Sequence, residues 1–116
     1  MISSLWRVYR GVDPGESWPP EHLRDFWKRQ GLVEGSTWAL GFDTPSIVGS
    51  SSGNRFSAKS VGHLGFTGTS FWLDLEREIL IILLTNRVHP TREHERLKIF
   101  RPLVHNLVME AIDDLS

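Results

Sequence analysis

The stretch that decides the fold is Val61-Gly62-His63-Leu64-Gly65-Phe66-Thr67-Gly68-Thr69-Ser70-Phe71-Trp72. Its residues are β-formers and aromatics, yet three glycines fall within seven positions. Glycine weakens a strand, so its presence there signals close approach of another backbone or a ligand. Thr67, Thr69 and Ser70 place hydroxyls beside those glycines. Val61–Phe66 reads as one short strand and Phe71–Leu73 as the next.

Working outward, Asp74 to Glu78 reads as a polar turn, and Glu78 to Thr85 as the third and most buried strand. That strand contains Ile79-Leu80-Ile81-Ile82-Leu83-Leu84, which suits burial but is too short to span a bilayer. Short connections make consecutive strands antiparallel. A further strand is expected where Trp38, Leu40 and Phe42 alternate with Thr37, Ala39 and Gly41. Residues 49–54, Gly-Ser-Ser-Ser-Gly-Asn, read as a flexible loop.

The flanks have helical period. Ile2, Leu5, Trp6 and Tyr9 share one face, with Gly11 as a stop. Asp13-Pro14-Gly15 reads as a turn. Pro19 and Pro20 suit the first turn of a second helix, whose stripe is Leu23, Phe26 and Trp27 and which Gly31 would end. At the C-terminus, Leu97, Phe100, Val104, Leu107, Val108, Ala111 and Ile112 form a helical face. Pro102 is expected to open that main helix, with 92–100 a shorter segment before it. The fold class is α+β: N-terminal helices, an antiparallel sheet of three or more strands, and a C-terminal helix packed on it. The reading is of a single domain, 1–116, with helical residues 1–35, sheet residues 36–90 and terminal-helix residues 91–116.

Composition fits a globular chain: 40% hydrophobic and 23% charged residues over 116 positions. A net charge of −1 gives no electrostatic footprint for nucleic acid. There is no cysteine, which excludes disulfides and thiolate–metal sites but assigns no compartment. The first fifteen residues do not read as a secretion signal.

Several blocks in this order resemble a known family. His63-Leu64-Gly65-Phe66-Thr67-Gly68-Thr69-Ser70, the apolar strands, Leu83-Leu84-Thr85-Asn86-Arg87-Val88-His89-Pro90 and the closing helix look like the C-terminal end of class C-type serine β-lactamases and related esterases and DD-peptidases. Ala39-Leu40-Gly41-Phe42-Asp43-Thr44-Pro45-Ser46 belongs to the likeness, which covers about Gly35 to Ile112. In that family a Ser-x-x-Lys, a Tyr-x-Asn or Ser-x-Asn, and a Lys-Thr-Gly or His-x-Gly build the site. The resemblance implies that His63-Leu64-Gly65 is the third motif. His63 would orient or polarise the catalytic groups, Gly65 would let the acyl substrate lie along the strand with Leu64 and Thr67 beside it, and the Phe66 backbone N–H would be an oxyanion-hole donor.

Departures matter as much. Three residues before Lys28, Lys59 and Lys98 stand Asp25, Phe56 and Glu95, so no Ser-x-x-Lys is present. The one tyrosine reads Tyr9-Arg10-Gly11. Ser52-Gly53-Asn54 fits Ser-x-Asn by letter but lies in the Gly/Ser loop, where the family does not place it. The nucleophile is thus absent, and a chain lacking it is expected to be inactive alone. Leu64 stands where the family often has Thr or Ser, which favours an esterase- or peptidase-like parent acting on a small-molecule or peptide-like acyl substrate.

Blander readings apply elsewhere. His89 and His94 with Glu93 and Glu95 match no metal-ligand spacing, so neither metal nor cofactor is expected. His22 and His105 read as surface residues. Arg87, Arg92, Arg96, Lys98 and Arg101 read as a solvated basic helix surface. Trp27, Trp38 and Trp72 read as core. A non-catalytic binding or self-association module is the alternative function, and an exposed sheet edge offers a route to a homodimer or domain swap for either reading.

Overall fold

A computed structural model of the chain describes residues 2–13, 19–89 and 95–116. The expected turn at Asp13-Pro14-Gly15 and the helical residues 92–94 lie wholly or partly outside them. The described residues contain helices α1 (Ile2–Tyr9), α2 (Pro20–Phe26) and α3 (Arg96–Asp114), and strands β1 (Ser60–Leu64), β2 (Ser70–Asp74) and β3 (Ile79–Leu83). The fold is α+β, with one antiparallel sheet in the order β1-β2-β3. By contacts the chain divides into two compact units, Met1–Phe42 and Asp43–Ser116. The sequence reads as one domain with segment boundaries at 35/36 and 90/91, and the division between the two units falls at 42/43.

In the first unit, Pro20 opens α2, where a missing N–H costs nothing. Leu23 and Trp27 are buried. The Trp27 ring packs against Tyr9 at 5.1 Å and edge-on to Phe42 at 6.0 Å, spacings that favour aromatic pairs. The expected strand at 37–42 does not form. The Leu40 N–H donates to the Phe26 carbonyl and the Ala39 N–H to the Phe42 carbonyl, which makes a loop closed on α2. Gly41, at φ 74°, turns the chain left-handed. Ala39 is buried while Trp38 and Leu40 are exposed, the reverse of the expected alternation.

In the second unit, register pairs Gly62 with Trp72 and Trp72 with Ile81. Trp72, Ile81, Phe56 and Met109 form the core, with Ile79 and Val108 packed against it. β2 is the central and most buried strand. β3, expected to be deepest, lies at the sheet edge with Ile82 and Leu84 exposed. β3 is the middle strand of no ladder here: only β2 pairs with it among the described residues.

Two further expectations are corrected on α3. The helix runs unbroken through Pro102, so Pro102 does not open it. Its buried stripe is Arg101, His105 and Met109, spaced four apart, while Phe100, Leu103 and Leu107 face out. Polar residues win those positions because each finds a main-chain partner. His105 is fully buried, and its Nδ1 lies 2.8 Å from the Ser51 carbonyl oxygen, so Nδ1 carries the proton and donates. The Asn54 N–H donates to Asn106 Oδ1 at 2.9 Å. The 49–54 segment is therefore pinned to α3, with Ser50 and Ser52 buried.

The β2–β3 turn hangs on Asp74, whose carboxylate is fully buried. It accepts the Ser57 N–H at 2.8 Å, the Ser57 hydroxyl at 2.7 Å, and the Glu76 and Arg77 N–H groups at 3.0 Å each. Burial pushes this carboxyl's pKa up, but the hydrogen bonds from Ser57, Arg77 and Glu76 outweigh it and hold it below the ordinary value.

Asp74→Ala strands four donors and is expected to cost about 3 kcal/mol in urea unfolding. A pH effect follows from His105. Burial lowers its pKa, the Ser51 hydrogen bond opposes this, and nearby Arg101 adds to the lowering. The unfolded chain then binds the proton more readily than the folded one, so the stability present above pH ~6.5 is lost as pH falls below it. Urea midpoints are expected to fall between neutral and mildly acidic pH, and His105→Asn to flatten that part of the profile.

Candidate functional site

The candidate site is the end of β1 and the turn that follows it. His63 lies in β1, opposite Phe71, and is exposed. Leu64 is half-buried and pairs with Ser70. Gly65, Phe66 and Thr67 continue past the strand, with Phe66 61% exposed and Thr67 exposed. The five predicted positions therefore stand together at one end of the sheet, with the histidine open to solvent.

Hydrogen bonds set the shape of the turn. The Gly65 N–H donates to the Thr69 carbonyl at 2.7 Å, and the Gly68 N–H to the Gly65 carbonyl at 3.1 Å. Gly68, at φ 113°, turns in a region closed to other residues. Among the described residues the Phe66 N–H meets no acceptor. An unspent N–H on a fixed turn is the kind of group that can bind developing negative charge.

The glycines have close neighbours. A Cβ at Gly62 would lie 2.5 Å from the Phe71 carbonyl oxygen and from the Trp72 ring, and one at Gly65 would lie 2.2 Å from Thr69 Oγ1. The close approach that the sequence suggested at these positions comes from the chain's own strand β2 and its own turn. On its outer side Gly62 is bonded twice more: its N–H donates to the Asp43 carbonyl at 2.9 Å and its carbonyl accepts the Asp43 N–H at 2.8 Å.

The turn is gripped from two directions. From the segment after β3, the Arg87 N–H donates to the Thr67 carbonyl at 2.8 Å, and the Thr85 hydroxyl donates to the Gly68 carbonyl. The Arg87 guanidinium sits 5.0 Å from the centre of the Phe66 ring, a cation–π distance. From α3, Arg101 Nη2 donates to the Gly65 carbonyl at 3.1 Å and to the Thr69 carbonyl at 2.9 Å. Arg101 is only 6% exposed. Sequence reasoning placed Arg87 and Arg101 on a solvated surface and so missed both as supports. The helix's apolar pattern carried no signal for Arg101, because its partners are carbonyls on a distant turn. Arg96 and Lys98 are exposed as expected, and Arg92 lies outside the described residues.

Two other readings are corrected. His105 is core and not surface. Trp38 is 52% exposed, whereas Trp27 and Trp72 are core. Among the described residues no group of three or more His, Asp or Glu is placed to hold a metal; Glu93 and His94 lie outside them.

A family profile described as Beta-lactamase matches residues 5–106. No curated protein matches the chain. Among solved structures, a beta-lactamase from Mycobacterium bovis superposes with a TM-score of 0.70 at 16% identity, over 90% of this chain. This chain spans 40% of the length of that one. At that identity the likeness is one of fold.

Gly62→Ala is expected to cost about 2 kcal/mol, because the methyl meets a carbonyl oxygen and an indole that cannot both retreat. The check is urea unfolding followed by Trp fluorescence. Unchanged stability would mean that Trp72 does not lie over position 62.

Proposed function

This chain belongs to the beta-lactamase family, and we propose that it supplies the histidine–glycine wall of an acyl-transfer site whose nucleophilic wall lies outside these 116 residues. The observation that carries this reading is the Phe66 N–H. It has no acceptor among the described residues, on a residue that is 61% exposed, directly after the His63-Leu64-Gly65 sequence.

The reaction begins with a serine hydroxyl attacking the carbonyl carbon of an ester or amide. The carbonyl electrons move to oxygen, and the Phe66 N–H donates to that oxyanion. A preorganised donor of this kind is worth about 2.7–4 kcal/mol. Collapse expels the alcohol or amine, which leaves carrying the proton given up by the serine hydroxyl, and the resulting serine ester is hydrolysed by water to the acid and the free serine. His63, exposed one strand position before Leu64, orients or polarises the catalytic groups. Gly65 and Leu64 present the strand along which the acyl group lies, and Thr67 borders it. Leu64 brings no hydroxyl to a substrate carboxylate, which favours an ester or peptide-like acyl donor over a carboxylate-bearing β-lactam.

None of this proceeds without an activated nucleophile, and no Ser-x-x-Lys occurs in the chain. The purified chain is therefore expected to hydrolyse nitrocefin and p-nitrophenyl esters no faster than buffer does. Mass spectrometry after incubation with a β-lactam or a fluorophosphonate is expected to show the unmodified mass. A stoichiometric adduct would overturn the proposal by revealing a nucleophile within these residues.

A further inference from the structure

We propose that Arg101 is a positioning residue for the oxyanion donor, acting through the peptide group that joins Gly65 to Phe66. The inference rests on the functional reading above for its purpose, though its geometry stands apart from it. The Gly65 carbonyl and the Phe66 N–H are the two ends of one planar unit. In a trans peptide they point in opposite directions, and the unit rotates only as a whole. Arg101 Nη2 holds the carbonyl end at 3.1 Å. The N–H end is thereby aimed away from the guanidinium.

The same nitrogen holds the Thr69 carbonyl at 2.9 Å, and Thr69 in turn accepts the Gly65 N–H. One guanidinium thus closes the neck of the turn and, together with the Gly68 N–H that donates to the same Gly65 carbonyl at 3.1 Å, sets the angle of the peptide just inside it. Charge adds to geometry. A cation at the carbonyl oxygen polarises the peptide and makes its N–H a better donor, because hydrogen bonds in a chain reinforce one another.

The burial of Arg101 also needs a reason. The residue is only 6% exposed, its guanidinium is desolvated by burial, and among the described residues no carboxylate pairs with it. Its Nε has no partner among them either. Such a placement is costly as a stabilising device, since a well-packed apolar residue would serve the core better. Holding two carbonyls beside the site is a role that an apolar residue cannot take.

The test uses the whole chain and amide NMR spectra. In Arg101→Met, the Phe66 and Thr67 amide resonances and the Phe66 N–H residual dipolar coupling are expected to move. The amides of Trp72 and Leu73 and those of α3 beyond His105 are expected to stay in place. Arg101→Lys keeps a cationic donor within reach of both carbonyls and is expected to restore the Phe66 amide toward its native position. A fall in melting temperature with the Phe66 amide unmoved would reduce Arg101 to a structural role and overturn the proposal. So would equal displacement in the Met and Lys variants. Should Arg101→Met not fold, the unmodified chain still decides. Resolved, slowly rotating Arg101 guanidinium protons are expected, and a single averaged signal would overturn the clamp. These readouts are separate from acyl transfer. An adduct on the chain would sink the functional reading and leave the clamp standing, and an unmoved Phe66 amide would do the converse.

Discussion

The second unit is organised around one indole. Trp72 sits in the middle strand with none of its surface exposed, and its ring occupies the space that a side chain at Gly62 would fill. That contact lets β1 and β2 close over an aromatic ring, and it gives Met109 of α3 an apolar floor shared with Phe56 and Ile81. Burying a residue of this size is among the largest single apolar contributions available to a small domain. The sheet, the helix above it and the hairpin beyond Gly62 all take their positions from it.

Around that apolar centre the chain buries polar groups that tie down segments with no regular structure. Asp74 gathers donors from the segment before β1 and from the β2–β3 turn. His105 holds the serine-rich loop through Ser51, and Arg101 holds the β1–β2 turn. In each case a side chain on a regular element satisfies main-chain groups on an irregular one. Buried main-chain groups need such partners, and loops cannot supply them alone.

Much of this was legible in the sequence. The three strands, their antiparallel pairing and the two N-terminal helices follow from period and turn residues. The strand that carries His63 and Leu64 follows from the same reading. What failed, failed for tertiary reasons. Alternation from Thr37 to Phe42 has a strand's period, yet Leu40 spends its N–H on Phe26 and no ladder forms. The third strand is the most apolar, yet depth depends on having neighbours on both sides, which β2 has. On α3 the apolar letters mark one face and the buried letters another. Arg101 and His105 go inward because carbonyl oxygens await them there, and no helical wheel records where a distant carbonyl points.

The proposed oxyanion donor at position 66 belongs to the polymer and not to phenylalanine. Almost any of the twenty amino acids would carry the same amide, with proline the exception. Selection on this feature would therefore fall on what surrounds the position, and the letter at 66 itself could drift. A survey that ranks positions by identity would pass over it and dwell on the glycines and the arginine instead.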